Sequence, residues 1–453
     1  MELYPVSLNS HRYIRAPIHF EGGLLIVALL ISLAIIAVVF RLPKSEKFND
    51  GLMTANKLFR YEPAVFARFR WIINAKKILR AADKKAQGHP YRLYRGDTDQ
   101  IVLPTSMIPE LNGLGIDCLN SRESHSFGLL GHLTGMDVVR VTSFHVRVLL
   151  SYISPALPSL FAVMGERISA GVQDEFPQSH EWMPMKPSKA VVHCISEAIA
   201  LILFGAEMTR DIPELVHLSH EHTNNVFKVC FAMRCVPQTL QPILVWLLPA
   251  KWRLISSWKK LRGFVVPRVL QQNEARRTRN SKGAAVVNPD VISWMVEDGR
   301  NELERDPENL TTLIGSIAAG STYSITNFCC RTIVDLVGHP DVLDAVRDEI
   351  RRQNAEVQGR WSMAALAGLE KLESAMKESS RLTPGTFLVY SRVVKKDCVL
   401  ANGLVLRKGQ FITMSGATRT MDPSIFQDAQ EYQGLRFCAE DRVKEHHGHA
   451  QDD

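Results

Sequence analysis

Residues 369–384 read LEKLESAMKESSRLTP. The stretch is a predicted helix closed by Pro384, whose ring and missing N–H cannot continue it. It carries Glu378 and Arg381 three positions apart, so the two side chains share a face. Alone, such a pair is an ordinary surface ion pair worth a few tenths of a kcal/mol. The sequence changes character just beyond it. Residues 387–394 and 398–414 are rich in Val, Leu and Phe, and Asn402-Gly403 sits between Val399-Leu400 and Leu404-Val405 as a type I′ hairpin signal. In the other direction, Leu310 to Gly338 is one long apolar run ended by His339-Pro340, predicted as a single helix with Asn309 as its cap. In its middle, Ala318-Ala319-Gly320-Ser321 costs helix stability but lets a ligand lie against the backbone. Hydroxyls follow at Thr322, Tyr323 and Ser324; inside a helix such groups ordinarily bond back to a carbonyl one turn earlier.

Working outward, the chain reads as mostly helical up to about residue 380, with residues 190–204 and 225–236 as buried helices. Residues 239–252, TLQPILVWLLPAKW, are strongly apolar and bounded by prolines. They are expected in the core, with a patch dipping into a membrane surface as the alternative. Residues 274–308 are polar and read as a loop or a solvated helix end. Near the start, residues 22–40, GGLLIVALLISLAIIAVVF, carry no charge. At about 1.5 Å per residue they are long enough to cross a bilayer. Arg12 and Arg15 precede them, and Arg41, Lys44, Lys47, Lys57 and Arg60 follow, a bias that puts the large C-terminal part in the cytosol. The expected organisation is a lumenal segment 1–21, an anchor 22–40, a hinge 41–50 stiffened by Pro43, a folded domain 51–437 and a polar tail 438–453. The fold class is mainly α with a small β region near the C-terminal end, behind a single transmembrane helix.

Composition narrows the function classes. With 46% hydrophobic and 22% charged residues in a chain of 453, a large core is available and disorder is not the default reading. The net charge of +7 is mild over this length, and no basic run is interleaved with aromatics, so no nucleic-acid partner is expected. The eight cysteines, at 118, 194, 230, 235, 329, 330, 398 and 438, form no C-x-x-C pair, which argues against a zinc ribbon or a disulfide framework. His446, His447 and His449 form a short terminal run that is expected to be solvated rather than to bind a metal.

Taken in order, these features resemble the cytochrome P-450 family. The run Leu369-x-Lys371-Leu372 to Glu378-Ser-Ser-Arg381-Leu382-x-Pro384 is similar to the family's K helix with its E-x-x-R signature. The stretch Asp422-Pro423, Phe426, Asp428, Tyr432-x-Gly434-x-Arg436-Phe437 resembles the segment that follows it. Residues 335–350, DLVGHPDVLDAVRDEI, resemble the end of the I helix and the start of the J helix. The anchor and Pro43 fit microsomal members, and the middle of the chain is most similar to fungal members acting on secondary metabolites.

The resemblance implies a cytochrome P-450-like fold with haem as cofactor, and a buried ion-pair network of Glu378, Arg381 and Arg436. It implies a haem propionate partner at Arg392 and close backbone approach at Gly320. It also implies an acid–alcohol relay in the long helix, and counting back from His339-Pro340 places the alcohol at Ser324 and the acid at Tyr323. A register two residues earlier gives Thr322. The implied activity is a monooxygenase that oxidises a hydrophobic terpenoid or polyketide with O2. It would draw electrons from an NADPH-dependent reductase, as a single-pass protein of the endoplasmic reticulum membrane with its body in the cytosol.

The iron ligand is where the sequence departs from the family. The family's cysteine lies in F-x-x-G-x-R-x-C-x-G. Gly434-Leu-Arg436-Phe-Cys438 matches G-x-R-x-C, but Glu431 stands at the aromatic position and Glu440 at the final glycine. The tail that follows, AEDRVKEHHGHAQDD, is not an apolar helix. Cys438 is therefore not expected to be the ligand, and the expectation is of a chain that stops before the haem-cysteine loop. The alternative function is a haemless relative acting as a membrane-bound binding protein.

Overall fold

The computed structural model describes residues 51–438, with Arg60, Asp97, His180, Trp182 and residues 281–289 left aside. The expected anchor, the hinge up to residue 50 and the tail from residue 439 lie outside the described residues. The main elements in chain order are β1 (Met53–Thr54), α1 (Ala64–Ala86), β2 (Tyr91–Arg95), β3 (Thr98–Leu103), β4 (Leu119–Asn120), α2 (Ser121–Gly128), α3 (Phe144–Val148), α4 (Ser154–Glu175), α5 (Pro187–Asp211) and α6 (Glu214–Arg234). They continue with α7 (Pro249–Asn280), α8 (Val291–Asp298), α9 (Pro307–Gly338), α10 (Pro340–Glu356), α11 (Glu370–Leu382), β5 (Leu388–Val394), β6 (Cys398–Val399), β7 (Val405–Leu406) and β8 (Phe411–Ser415). The protein is mostly helical with a small sheet.

Helix α9 is the axis of the helical core. Leu310, Leu313, Ile314 and Ala318 on it pack with Leu203 and Phe204 of α5, Leu261 and Val265 of α7, and Ile292 and Met295 of α8. Each such side chain contributes roughly 1.5–3 kcal/mol by leaving water. The helix begins earlier than its apolar pattern suggests. Asp306 caps it by accepting from the Glu308 N–H at 3.2 Å, with Pro307 at the first position, while Asn309 donates to the Leu303 carbonyl at 3.1 Å. Proline's fixed φ sets that start, and this corrects the expected cap. Along the small-residue stretch, Ala318 and Ala319 are packed into the core, and a Cβ added at Gly320 would meet nothing within 4 Å.

The sheet draws on both ends of the chain. Its order is β1-β2-β3-β8-β5-β4, with β3 and β8 parallel, pairing Gln100 with Phe411 and Leu103 with Met414. Strands β2 and β3 were thus missing from the expected β region. Both are short and carry polar residues, and they join the sheet only through the pairing of β3 with β8 and of β2 with β3. The Asn402-Gly403 hairpin also differs. Leu400 N–H donates to the Leu404 carbonyl at 2.9 Å, and only Gly403 takes a positive φ, +81°. That is a three-residue loop with glycine in the left-handed position, rather than a two-residue type I′ turn.

Two further expectations change. Residues 274–308, read as a loop or a solvated helix end, begin with the end of α7 and go on to α8 and the turn Glu302–Arg305, each started by a side-chain cap, Asp290 or Asn301. Residues 239–252 are not core as a whole, since Trp246 is 48% exposed and Leu247 76%, with Ile243 and Trp252 also exposed. The indoles of Trp246 and Trp252, 5.5 Å apart and tilted at 58°, form an apolar crest on the surface. Two helical stretches, Phe144–Glu175 and Pro187–Asp211, are long and apolar enough to cross a membrane. The second lies largely within the helical core, and the first contributes His145 to the cavity described next.

Candidate functional site

Two polar centres stand out among the described residues. The first is at the C-terminal end of α11, where Glu378 is wholly buried. Arg381 reaches it with two hydrogen bonds of 2.7 Å, and Arg436 Nε with one of 3.1 Å, while the Gln433 N–H donates to the same carboxylate at 3.0 Å. The remaining donors of Arg381 go to the carbonyls of Thr420 (2.7 Å), Ala429 (2.6 Å) and Glu431 (3.1 Å). Burial, the largest single influence, would raise the Glu378 pKa, but the Arg381 hydrogen bonds, the Gln433 N–H and the charges of Arg381 and Arg436 together outweigh it and hold the carboxyl below its ordinary value. The arrangement pins the irregular segment 420–437 to α11, because one guanidinium binds three of its carbonyls.

The second centre is a cavity of about 790 Å³ between the sheet and the helices. Strand pairing builds it. Asn120, at the end of β4, pairs with Val393 of β5 and caps α2 by accepting from the Glu123 N–H at 2.8 Å, which sets α2 beside β5. The β5–β8 register slips between Val389 and Arg392, where Tyr390 adopts φ +56°. Such a bulge re-aims side chains, and here the consecutive Ser391 and Arg392 both line the cavity. Arg392 stacks over the Tyr390 ring at 4.2 Å and donates to the Ser391 carbonyl at 2.9 Å. Phe127, Phe231, Phe387 and Phe411 supply apolar wall, and Arg95, Arg122, His125 and His145 supply basic groups. No carboxylate lines it among the described residues.

Several of these polar groups lack partners. The Oε1 of Gln100, a residue 3% exposed, finds no hydrogen bond, and neither do Arg122 Nε or His145 Nδ1. Burial pushes the His145 pKa down to about 4, with the nearby His125 adding to the effect, so the ring is neutral near pH 7. His125 is accessible from the cavity, yet the protein around it also lowers its pKa.

The hydroxyls expected to form a relay lie elsewhere. Thr322 is buried, Ser324 and Tyr323 are exposed, and the Tyr323 ring packs 4.6 Å from Phe227. None of the three, nor Gly320, lines the cavity. Ser321 Oγ bonds back to the Ile317 carbonyl at 2.6 Å, the ordinary fate of a helical hydroxyl. All eight cysteines fall among the described residues, and none lines the cavity. Cys438 is buried against the start of α11, its Sγ 3.9 Å from the Glu370 carbonyl oxygen. Sequence reasoning reached Arg392 but missed Arg95, Gln100, Arg122, His125 and His145. Each is an isolated polar residue with no local pattern, and only the paired strands bring them together.

Comparison with known proteins gives a consistent outcome. A family model described as Cytochrome P-450 matches residues 143–450. A cytochrome P-450 monooxygenase of Emericella nidulans is 25% identical over 409 residues, covering 89% of this chain and 76% of that protein. The cytochrome P-450 monooxygenase paxP of Penicillium paxilli is 27% identical over 420 residues, covering 90% and 80%. The ent-kaurene oxidase of Gibberella intermedia is 25% identical over 367 residues, covering 80% and 66%.

Proposed function

The chain belongs to the cytochrome P-450 family, and from that premise we propose that it is a monooxygenase of secondary-metabolite biosynthesis, placing oxygen from O2 on a lipophilic terpenoid or polyketide. The observation that carries this reading is the buried Glu378–Arg381–Arg436 node inside the segment the family model matches. The terpenoid class is supported by a relative named for ent-kaurene. Electrons would come from an NADPH-dependent reductase, the usual partner of this family. The working location is the endoplasmic reticulum membrane, facing the cytosol, held by residues 22–40 and by the exposed crest at Trp246 and Leu247.

The family's cofactor is haem, whose thiolate ligand supplies the electron density that favours O–O cleavage. The cavity suits its propionates, because Arg122 and Arg392 line it without any carboxylate beside them. It does not fit the thiolate, since no cysteine of these 453 residues lines it. No step is therefore assigned to an iron held by one of these cysteines. The chain's own contributions are apolar walls that exclude water, arginines that orient an anionic group, and hydroxyls at Ser324, with Tyr323, or at Thr322, that hold a proton.

The same mismatch favours a second reading, a haemless membrane-bound protein that binds a lipophilic ligand. Membranes carrying this chain, supplied with reductase, NADPH and a panel of terpenoids and polyketides, separate the two. Oxygenated product that requires both NADPH and O2 is the expected result. Ligand binding without any product overturns the monooxygenase in favour of the binding protein.

A further inference from the structure

We propose that Gln100 selects the ligand of the cavity, which is a lipophilic molecule already carrying a hydroxyl, its O–H donating to Gln100 Oε1. The proposal rests on the lipophilic substrate of the proposed monooxygenase and names the group by which that substrate is recognised. Strand alternation sets the position apart. Along β3, Ile101 and Leu103 pack into one apolar cluster, while Val102 packs into another with Trp71 and Leu93, and with Phe387 and Leu388 against them. Gln100 is two residues from Val102 and so shares its face. Across the β2–β3 ladder it stands opposite Leu93 of the same cluster. The period thus calls for an apolar side chain at 100. The chain places an amide there instead, 3% exposed and lining the cavity, and no protein group meets its Oε1. A buried acceptor without a partner weakens the fold, so a ligand that supplies the donor gains an interaction the free protein lacks.

The surrounding groups fix the kind of donor. Arginine only donates, so Arg95, Arg122 and Arg392 do not compete for a ligand's O–H. A cationic donor is disfavoured beside three guanidiniums with no carboxylate lining the cavity among the described residues. A neutral hydroxyl remains. The wall next to Gln100 suits a carbon skeleton, with Phe411 beside it across the β3–β8 pairing and Trp71 and Phe387 also lining the cavity. A hydroxyl on such a skeleton has to be installed first. The chain therefore acts after an oxygen-introducing step, on a terpenoid or polyketide alcohol rather than on its deoxy parent. Gln100 holds and orients that alcohol by a hydrogen bond, with no bond made or broken at the amide.

Two measurements on the purified full chain in detergent, without NADPH, test this. The first needs no ligand. Gln100→Met keeps the length of the side chain and removes the orphaned acceptor, so its melting temperature should equal or exceed the parent's. The second is a calorimetric panel of terpenes and polyketides, each beside its alcohol. At least one alcohol should bind about tenfold or more tighter than its deoxy partner, and Gln100→Met should abolish the difference, a cycle that isolates the O–H contact. A lower melting temperature in Gln100→Met makes the amide a contact of the fold and overturns the proposal. A panel in which no alcohol is preferred, as when water satisfies the amide, overturns it too, and so does a preference that survives Gln100→Met. The monooxygenase falls separately. Product that needs NADPH and O2, with no alcohol preferred, keeps the enzyme and removes this site; a preference lost in Gln100→Met, with no product, keeps the site and removes the enzyme.

Discussion

The node at Glu378 and the cavity beside Arg392 are both rich in charge, yet they dispose of it in opposite ways. At the node, one carboxylate meets two guanidiniums, and Arg381 places its remaining donors on three carbonyls. At the cavity, arginines and imidazoles gather with no carboxylate, and Gln100, Arg122 and His145 each leave a polar atom unpartnered. A buried polar group without a partner costs about 1–3 kcal/mol. The node is not free of such atoms, since Arg436 Nη2 is also unpartnered, but its charges meet one another, whereas those at the cavity face a void.

The largest expected effect falls on the node. Replacing Arg381 with Ala leaves Glu378 with only Arg436 and the Gln433 N–H and strips three carbonyls of their donor, and should cost about 3–5 kcal/mol, enough to collapse soluble yield. A variant with the parent's denaturant midpoint would show that the node is not structural, and the comparison would fail.

Acid sharpens the contrast by adding a third kind of site, a buried polar group kept neutral. His222 on α6 lies in the core, its Nδ1 3.2 Å from Ser257 Oγ, and burial lowers its pKa to about 4. The unfolded ring titrates near 6.5. Its contribution is therefore complete above that pH and is lost as pH falls toward 4, amounting to about 2 kcal/mol at pH 5. Glu378 has the same sign at lower pH, since its depressed pKa means stability present above 4.5 and lost on further acidification. Thermal melts between pH 7 and 5 should flatten in His222→Gln; an unchanged slope would discard this account.

At the cavity the prediction reverses. Arg122→Leu should leave stability within about 0.5 kcal/mol and weaken a carboxylate-bearing ligand about tenfold, read by calorimetry. Stability falling as far as in Arg381→Ala would erase the distinction between the two centres. The smallest effect is expected at the crest, where Trp246→Ser with Leu247→Ser should leave the melting temperature unchanged and reduce partition onto lipid vesicles. Equal partition would remove the crest as a membrane contact.

The node was legible from sequence because its key pair is local. Glu378 and Arg381 sit one helical turn apart, and Arg436 follows in the irregular segment that comes after them. The cavity was legible only at Arg392. Gln100 and Phe411 line it together because β3 and β8 run parallel side by side, and that register leaves no trace in either strand alone. The bulge at Tyr390 is equally silent, since a tyrosine at φ +56° follows from the surrounding sheet and not from its own preference.

The sequence by itself determined the long apolar helix, the E-x-x-R helix closed by proline and the strand-rich character after residue 384, because helix periodicity and strand composition act over a few neighbouring residues. Tertiary structure alone decided that Ala318 and Ala319 are core, that Trp246 and Leu247 are surface, and that two histidines and three arginines share a void that no cysteine among the described residues lines. Those outcomes depend on which distant surfaces meet, and packing settles that only once strands from both ends of the chain have paired.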